Sequence, residues 1–527
     1  FISENCQREK KLAMRLKKHL KKRKKNRTIN SLNTKSPANQ RRFGFSFFFL
    51  SSLYRRRHLT PSSKARTNQS PKTKLKGSRK VDMLSNLSDD LLSRIVSELS
   101  TKDSIRFTSL SKRWRNIWLS VPALDLDFRD FEDEYELFEF IDKFLEFNGE
   151  QDVKRFKLIY DANEHDHDAF VLRIDDVIKR RVCDLTMLNR ICAEEELVRL
   201  PVSLYSCATL VNLTLYCVVF DAPRSKLISL PRVKTMHLEA IKFDGDWILE
   251  TLISSCLVLN ELTIVTQPHD LLGDVICVRS KSLKIFILES MREELEGEES
   301  ADRDVEIDAP KLECMSISKY QCESFIMKRI GVSKELNLDL KLDVEYDDPL
   351  DRTMISDFLS AISTVREMII SAPTIEIIRG YSEFEPLPQF SNLSHLEASF
   401  PKSTWEFLPS FLGCCPNLQS LVLEYDSLSE TDEMNLFNVP QCFQSSLEFV
   451  DLKTPATVME TSTKMKLPIY FIRNCSVLKK LVVSEGSNNI IRKIKKIPKR
   501  SRLCEVVVVK QNYNVVADTF SLLSAMY

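Results

Sequence analysis

Residues 200–217 read Leu-Pro-Val-Ser-Leu-Tyr-Ser-Cys-Ala-Thr-Leu-Val-Asn-Leu-Thr-Leu-Tyr-Cys. Within them Leu210, Leu213 and Leu215 have the spacing apolar-x-x-apolar-x-apolar. Leu213 and Leu215 are two residues apart, so in an extended chain they point to one face. A strand this short cannot bury that face alone and needs copies of itself alongside.

The copies are there on both sides. Upstream stand Val153-Phe156-Leu158 and Val182-Leu185-Met187; downstream stand Val233-Met236-Leu238, Leu259-Leu262-Ile264, Leu283-Phe286-Leu288 and Leu312-Met315-Ile317. A degenerate copy lies at Leu336-Leu338, followed by Val365-Met368-Ile370, Leu393-Leu396, Leu418-Leu421-Leu423, Leu447-Val450-Leu452, Leu478-Leu481-Val483 and Leu503-Val506-Val508. They return unevenly, at a mean of about 27 residues, inside the period of roughly 20–29 that marks leucine-rich repeats. Each unit predicts one short strand, with helices or loops returning the chain, and stacked strands of this kind build a solenoid. A compact α/β domain is the alternative, but it need not repeat one strand motif at one period. The fold class read here is mainly α/β, with a short three-helix segment ahead of an irregular repeat solenoid.

That helical segment is residues 84–119. Ser88 can cap a first helix with Asp89 and Asp90 in its dipole-favoured first turn. Leu91, Leu92, Ile95, Val96 and Leu99 follow at helical spacing. Thr101 can cap a second helix carrying Ile105 and Leu110, and Ser111 a third carrying Trp114, Ile117 and Trp118. Helices this short bury little surface on their own, so they are expected to dock on the next domain or on a partner.

Charge divides the chain. Residues 1–80 hold 25 Lys and Arg against 2 acidic residues, a net +23, so with +2 overall the remainder carries −21. The head lacks hydrophobic periodicity and reads as disordered. Its run Lys17–Arg27 has the make-up of a nuclear localisation signal or a nucleic-acid patch. The competing reading is that residues 1–82 are a gene-model extension that is never made, since Met83 stands just before the folded part. The apolar stretch 43–54 is short of the ~18 residues that span a bilayer. Residues 291–306 read as a solvated acidic loop.

The residues that carry chemistry are sparse. With 10 glycines, no phosphate-cradling loop or dinucleotide fingerprint occurs. The 14 cysteines include no CxxC pair, and Cys207, Cys256 and Cys475 sit in apolar runs. They read as small buried hydrophobes in a reducing compartment, as do the adjacent Cys414 and Cys415. His165 and His167 admit a metal, but a solvated loop explains them without one. No nucleophile–base pair or carboxylate pair emerges, so neither an enzyme nor a cofactor is expected.

The run from Leu84 through the Asp89-Asp90-Leu91-Leu92 opening, the Thr101-Lys102-Asp103 corner and Leu110-Ser111-Lys112-Arg113-Trp114-Arg115 to Trp118 resembles the F-box of plant F-box proteins. The rest resembles the plant family that joins an F-box to leucine-rich repeats and a C-terminal FBD domain. Leu200–Val211 looks like a well-marked repeat of that family, Asp308–Glu313 like a middle one, and Val439–Val450, Asn474–Leu481 and Ile497–Ser501 like its FBD domain. The implied organisation is a head at 1–82, the F-box at 83–128, repeats at 150–430, FBD at 435–510 and a tail at 511–527.

The resemblance implies a substrate-recognition subunit of a cullin–RING (SCF-type) ubiquitin ligase in the nucleus or cytoplasm. Its partners would be the ligase adaptor and a protein substrate of unknown identity, with no membrane and no nucleic acid. The implied adaptor-facing residues are Leu84, Leu87, Ser88, Leu91, Leu92, Ile95 and Leu99, and the F-box core is Ile105, Leu110, Trp114 and Trp118. The alternative is a repeat-based interaction module that has lost the adaptor. The family places prolines where this chain has Ser88, Ser100 and Leu257; serine keeps a helix start through capping but gives up proline's fixed φ.

Overall fold

The structure, a computed structural model, describes residues 87–509 apart from 109–110, 112, 115–116, 162–166, 191–196, 222–227, 244, 246, 268–274, 292–302, 330–331, 426–438, 454–462, 485–493 and 495. The basic head, the stretch 43–54, Leu84, Leu110, His165, the side chain of His167, most of the acidic loop and the tail therefore lie outside the described residues. The chain forms two compact units, Phe1–Val233 with Ala240–Asp244, and Lys234–Glu239 with Gly245–Tyr527.

The first unit opens with helices α1 (Asp89–Val96) and α2 (Thr101–Thr108). The third predicted helix is instead a turn at Arg113–Trp114 and a 3-10 turn, Ile117–Ser120. The Ser111 hydroxyl accepts from the amide of Arg113, two residues on, and its carbonyl from that of Trp114, which is the geometry of a turn. Strand β1 (Ala123–Asp127) follows, then α3 (Glu134–Asn148), β2 (Arg155–Tyr160), α4 (His167–Ile178), β3 (Asp184–Asn189), β4 (Val198–Arg199), β5 (Asn212–Tyr216) and β6 (Val218–Phe220). β1, β2, β3 and β5 form one parallel sheet in that order. β4 and β6 pair with β8 (Lys242–Phe243) in a second. β1 carries a further copy of the motif, Val121-Leu124-Leu126, with all three residues buried, directly after the helical segment.

In the second unit the order is β7 (Thr235–Glu239), α5 (Trp247–Ser255), β9 (Glu261–Thr266), β10 (Val275–Arg279), β11 (Ile285–Ser290), β12 (Asp304–Asp308), β13 (Cys314–Cys322), β14 (Phe325–Lys328) and β15 (Glu335–Leu342). There follow α6 (Pro349–Ile362), β16 (Glu367–Ile370), α7 (Ala372–Ser382), β17 (His395–Phe400), α8 (Leu408–Gly413), β18 (Ser420–Tyr425), α9 (Cys442–Ser445), β19 (Phe449–Lys453), α10 (Thr463–Asn474), β20 (Lys480–Ser484) and β21 (Glu505–Val509). β7, β9, β11, β13 and β15 through β21 make one parallel sheet in chain order. β10, β12 and β14 make a second, smaller parallel sheet. β12 takes the last residues of the predicted acidic loop into a strand, its Val305 and Ile307 buried.

The full copies of the apolar motif enter these strands, the first residue just before the strand and the next two on it, and in all but the last copy the inner residues are the core: Phe156, Leu185, Leu213, Leu262, Phe286, Leu336, Met368, Leu396, Leu421, Val450 and Leu481 are all fully buried. Backbone bonds repeat with them. The carbonyl of Lys234 accepts from the amides of Asn260 and Glu261, that of Asn260 from Lys284 and Ile285, and that of Lys284 from Glu313 and Cys314. The pattern continues to Glu448, whose carbonyl takes the amides of Lys479 and Lys480. One carbonyl per repeat thus satisfies two amides of the next, which fixes the register.

The cysteines belong to the same architecture. Cys207, Cys256, Cys415 and Cys475 each stand three residues before a motif leucine, buried at the turn where the chain enters the strand. The amides of Leu210, Leu259 and Leu418 donate to the carbonyls of Cys207, Cys256 and Cys415. Burial pushes the thiols of Cys256 and Cys442 up to about 12 and that of Cys415 well above its usual value. Eleven described cysteines are free thiols, as expected. Cys217 is the exception: it is disulfide-bonded. The last repeat also departs from the pattern, since Leu503 is 79% exposed and Cys504 holds the buried place.

Candidate functional site

The candidate site is the surface of α1. Its start is fixed by Ser88, whose side chain accepts from the amide of Leu91 at 3.4 Å. Asp89 and Asp90 follow in the first turn, where the helix dipole favours them. A second restraint was not legible in sequence. Arg113 reaches back across the segment and donates to the carbonyl of Leu87 (2.6 Å) and to Asp89 (2.6 Å). The pair is exposed and worth little stability, but it pins the end of α1 that carries Leu87 and the exposed Leu91.

The predicted adaptor-facing residues separate into two sets. Leu92, Ile95 and Leu99 are buried inside the protein itself, at 3% exposure or less. Leu91 is 39% exposed, Ser88 is exposed and Leu87 is half-buried. Helical periodicity put all of them on a candidate apolar face, and the packing of α1 against the 3-10 turn decides which of them face inward.

Of the predicted F-box core, Trp114 and Trp118 are buried among aromatic rings. Trp114 stacks on Phe107 with ring centroids 4.5 Å apart and planes 4° from parallel. Trp118 lies against Phe140 and Phe144 of α3. Both tryptophans are 3% exposed, while Ile105 is half-buried.

The second capping residue is Ser100, whose hydroxyl accepts from the amide of Asp103 at 3.2 Å, in place of the predicted Thr101. Thr101 is taken elsewhere: its Oγ1 accepts from the amide of Asp125 in β1 at 2.8 Å. Lys102 forms an ion pair with Asp130 just beyond β1. Both serines that replace family prolines are therefore helix caps, and α2 is tied by side chains to the first strand.

Farther along, Arg190 donates to Asp161 at 2.6 Å and approaches Asp127 at 3.5 Å, linking the C-terminal ends of β1, β2 and β3. Burial alone would raise the Asp127 pKa, but the bonds from Arg129 and the charges of Arg129 and Arg190 outweigh it and hold the carboxyl below its ordinary value. Among the described residues no group of His, Cys, Asp and Glu is arranged to hold a metal. None of their helices is long and apolar enough to cross a membrane.

An α1 surface presented by a tied three-element segment, ahead of parallel repeats, defines the class of F-box proteins with leucine-rich repeats. Family models agree on all three parts: the F-box domain at residues 84–125, the LRR repeats described for FBD-associated F-box protein At5g56370 at 174–338, and FBD at 438–483. The chain is 56% identical over 444 residues to F-box/FBD/LRR-repeat protein At1g80470 of Arabidopsis thaliana, covering 84% of this chain and 94% of that one. It is 52% identical over 405 residues to FBD-associated F-box protein At1g60410 of the same plant, covering 76% and 97%. The chain belongs to the F-box/FBD/LRR-repeat family, whose members are built for protein interaction.

Proposed function

We propose that this protein is a substrate-recognition subunit of an SCF-type cullin–RING ubiquitin ligase. The observation that carries this reading is Leu91, a large apolar side chain left exposed on a capped and pinned helix, beside Leu87 and Ser88. An apolar anchor on a rigid helix is what a groove on a partner needs, and a few such anchors supply most of the affinity of an interface. The adaptor takes this end of α1. Leu92, Ile95 and Leu99 act from behind, by fixing the helix that presents it.

The mechanism is proximity. The F-box tethers the repeats to the ligase, the repeats hold a target protein, and a separate conjugating enzyme supplies ubiquitin to a target lysine. This chain performs no bond chemistry and needs no cofactor. Free thiols throughout most of the described fold fit work in the nucleus or cytoplasm.

The test is co-precipitation of the full chain with the ligase adaptor. Leu91→Asp should abolish binding and Leu87→Asp should weaken it at unchanged melting temperature, because these side chains are not core. Failure of the unaltered chain to bind any adaptor would sink the ligase reading. It would favour a second reading, a repeat-based interaction module without the adaptor, to which Ser88 in the place of a family proline points.

A further inference from the structure

The sheet of the second unit ends in an unusual way. β21 pairs through Lys480↔Glu505 to Ser484↔Val509 with β20, and among the described residues nothing pairs with its other edge. Its sequence is Glu-Val-Val-Val-Val, and the valines are half-exposed or exposed where those of inner strands are buried. Leu503 just before it is 79% exposed. Lys499, Leu503, Cys504, Glu505 and Val506 line an open depression of about 560 Å³ beside the strand. The surroundings are cationic: Lys496, Lys499, Arg500 and Arg502 are all exposed, against Glu505 as the one carboxylate among the described residues from 494 to 509.

We propose that the free edge of β21 takes up an extended acidic segment of a partner protein as an added strand. A bare edge offers main-chain donors and acceptors at strand spacing, and strand addition uses them for affinity and the flanking side chains for specificity. Here the flanking side chains ask for alternation. Leu503, Val507 and Val509 accept apolar residues, and Lys499 and Arg502 accept carboxylates. Charge disfavours the other occupants. A second copy of this chain would bring a single carboxylate on its edge strand, Glu505, to meet these cations. The chain's own residues 511–527 carry a single acidic residue, Asp518. A nucleic acid would use the cations but leave the valines and the strand amides unmatched.

The probe is a fluorescein-labelled peptide of alternating glutamate and valine added to the full chain, with a lysine–valine peptide of equal length as control. Saturable binding of the acidic peptide alone is expected, weakening as salt is raised. Amide exchange should slow at residues 505–509. Charge reversal at two exposed sites, Lys499→Glu with Arg502→Glu, should weaken binding about tenfold or more. Equal binding of the lysine peptide, protection elsewhere than β21, or no binding at all overturns the proposal. So does binding that appears only once residues 511–527 are removed, which makes the tail the occupant, and displacement of the peptide by a single-stranded oligonucleotide that leaves 505–509 unprotected. The exchange map on the unaltered chain stands even if the double variant folds poorly.

Discussion

The first and last strands of the repeats meet the same problem and answer it differently. β1 has its edge amide at Asp125 bonded to Thr101, α2 laid against it and Lys102 paired with Asp130. β21 has a depression beside it, valines that are half-exposed or exposed, and four exposed cations in the segment just before it. A repeat stack has to cover its ends or leave them sticky. At β1 the cover is the F-box itself, so one small segment seals a sheet edge with α2 and displays α1 outward. The F-box is thus built into its unit, and loss of its core should be felt in β1 as well as at the adaptor surface.

The largest effect expected from this difference follows from Trp118. Truncating Trp118→Ala removes a fully packed ring from Phe140 and Phe144 and should cost roughly 3–5 kcal/mol. Chemical denaturation would read it, with adaptor binding falling in parallel. A two-step unfolding curve in which adaptor binding vanishes while β1 stays protected would mean that the F-box folds apart from the strand.

Next comes the same repeat position at two places in the chain. Leu210→Ala should cost roughly 2–5 kcal/mol because the side chain is fully buried. Leu503→Ala should stay within about 0.5 kcal/mol because the side chain is mostly in water. Urea midpoints of the two variants measure the contrast, and equal losses would mean that the last repeat is packed like the others.

That contrast also marks how far the sequence could be read. Buried strands were legible because their pattern has period 2 and their copies repeat. Leu503-Val506-Val508 keeps the pattern without the burial, since burial depends on a neighbour that spacing cannot reveal. β1 also has the pattern, as Val121-Leu124-Leu126, but this copy runs on directly from the helical segment, so helical and strand spacing overlap there. At the candidate site the helical spacing of Leu91, Leu92, Ile95, Val96 and Leu99 showed that α1 exists but not which of them face inward. That division rests on the 3-10 turn that carries Trp118, a contact made across some twenty residues of sequence. The role of Arg113 was equally hidden, because it acts on Leu87 and Asp89 through space.

Thr101 gives a smaller effect and a sharper location. Thr101→Val keeps the shape and removes the acceptor of the Asp125 amide, leaving an edge donor unsatisfied at a cost of about 1–2 kcal/mol. Hydrogen exchange should quicken at Asp125 more than at Leu213 in β5. Unchanged exchange at Asp125 would show that the strand edge is covered by α2 as a whole and owes little to this bond.

The smallest effect is electrostatic. Asp127 has its pKa held below the ordinary 3.8 by Arg129 and Arg190, despite burial that acts the other way. The ionised form therefore favours the fold. Its contribution is complete above the ordinary carboxylate range and is lost as pH falls below about 4 toward the lower folded value. Asp127→Asn should accordingly be less stable than the unaltered chain at pH 7, and the gap between their urea midpoints should close as the pH is brought to 3. A gap that persists at pH 3 would assign the loss at Asp127 to packing, and the covered end of the repeats would then owe its stability to the F-box contacts alone.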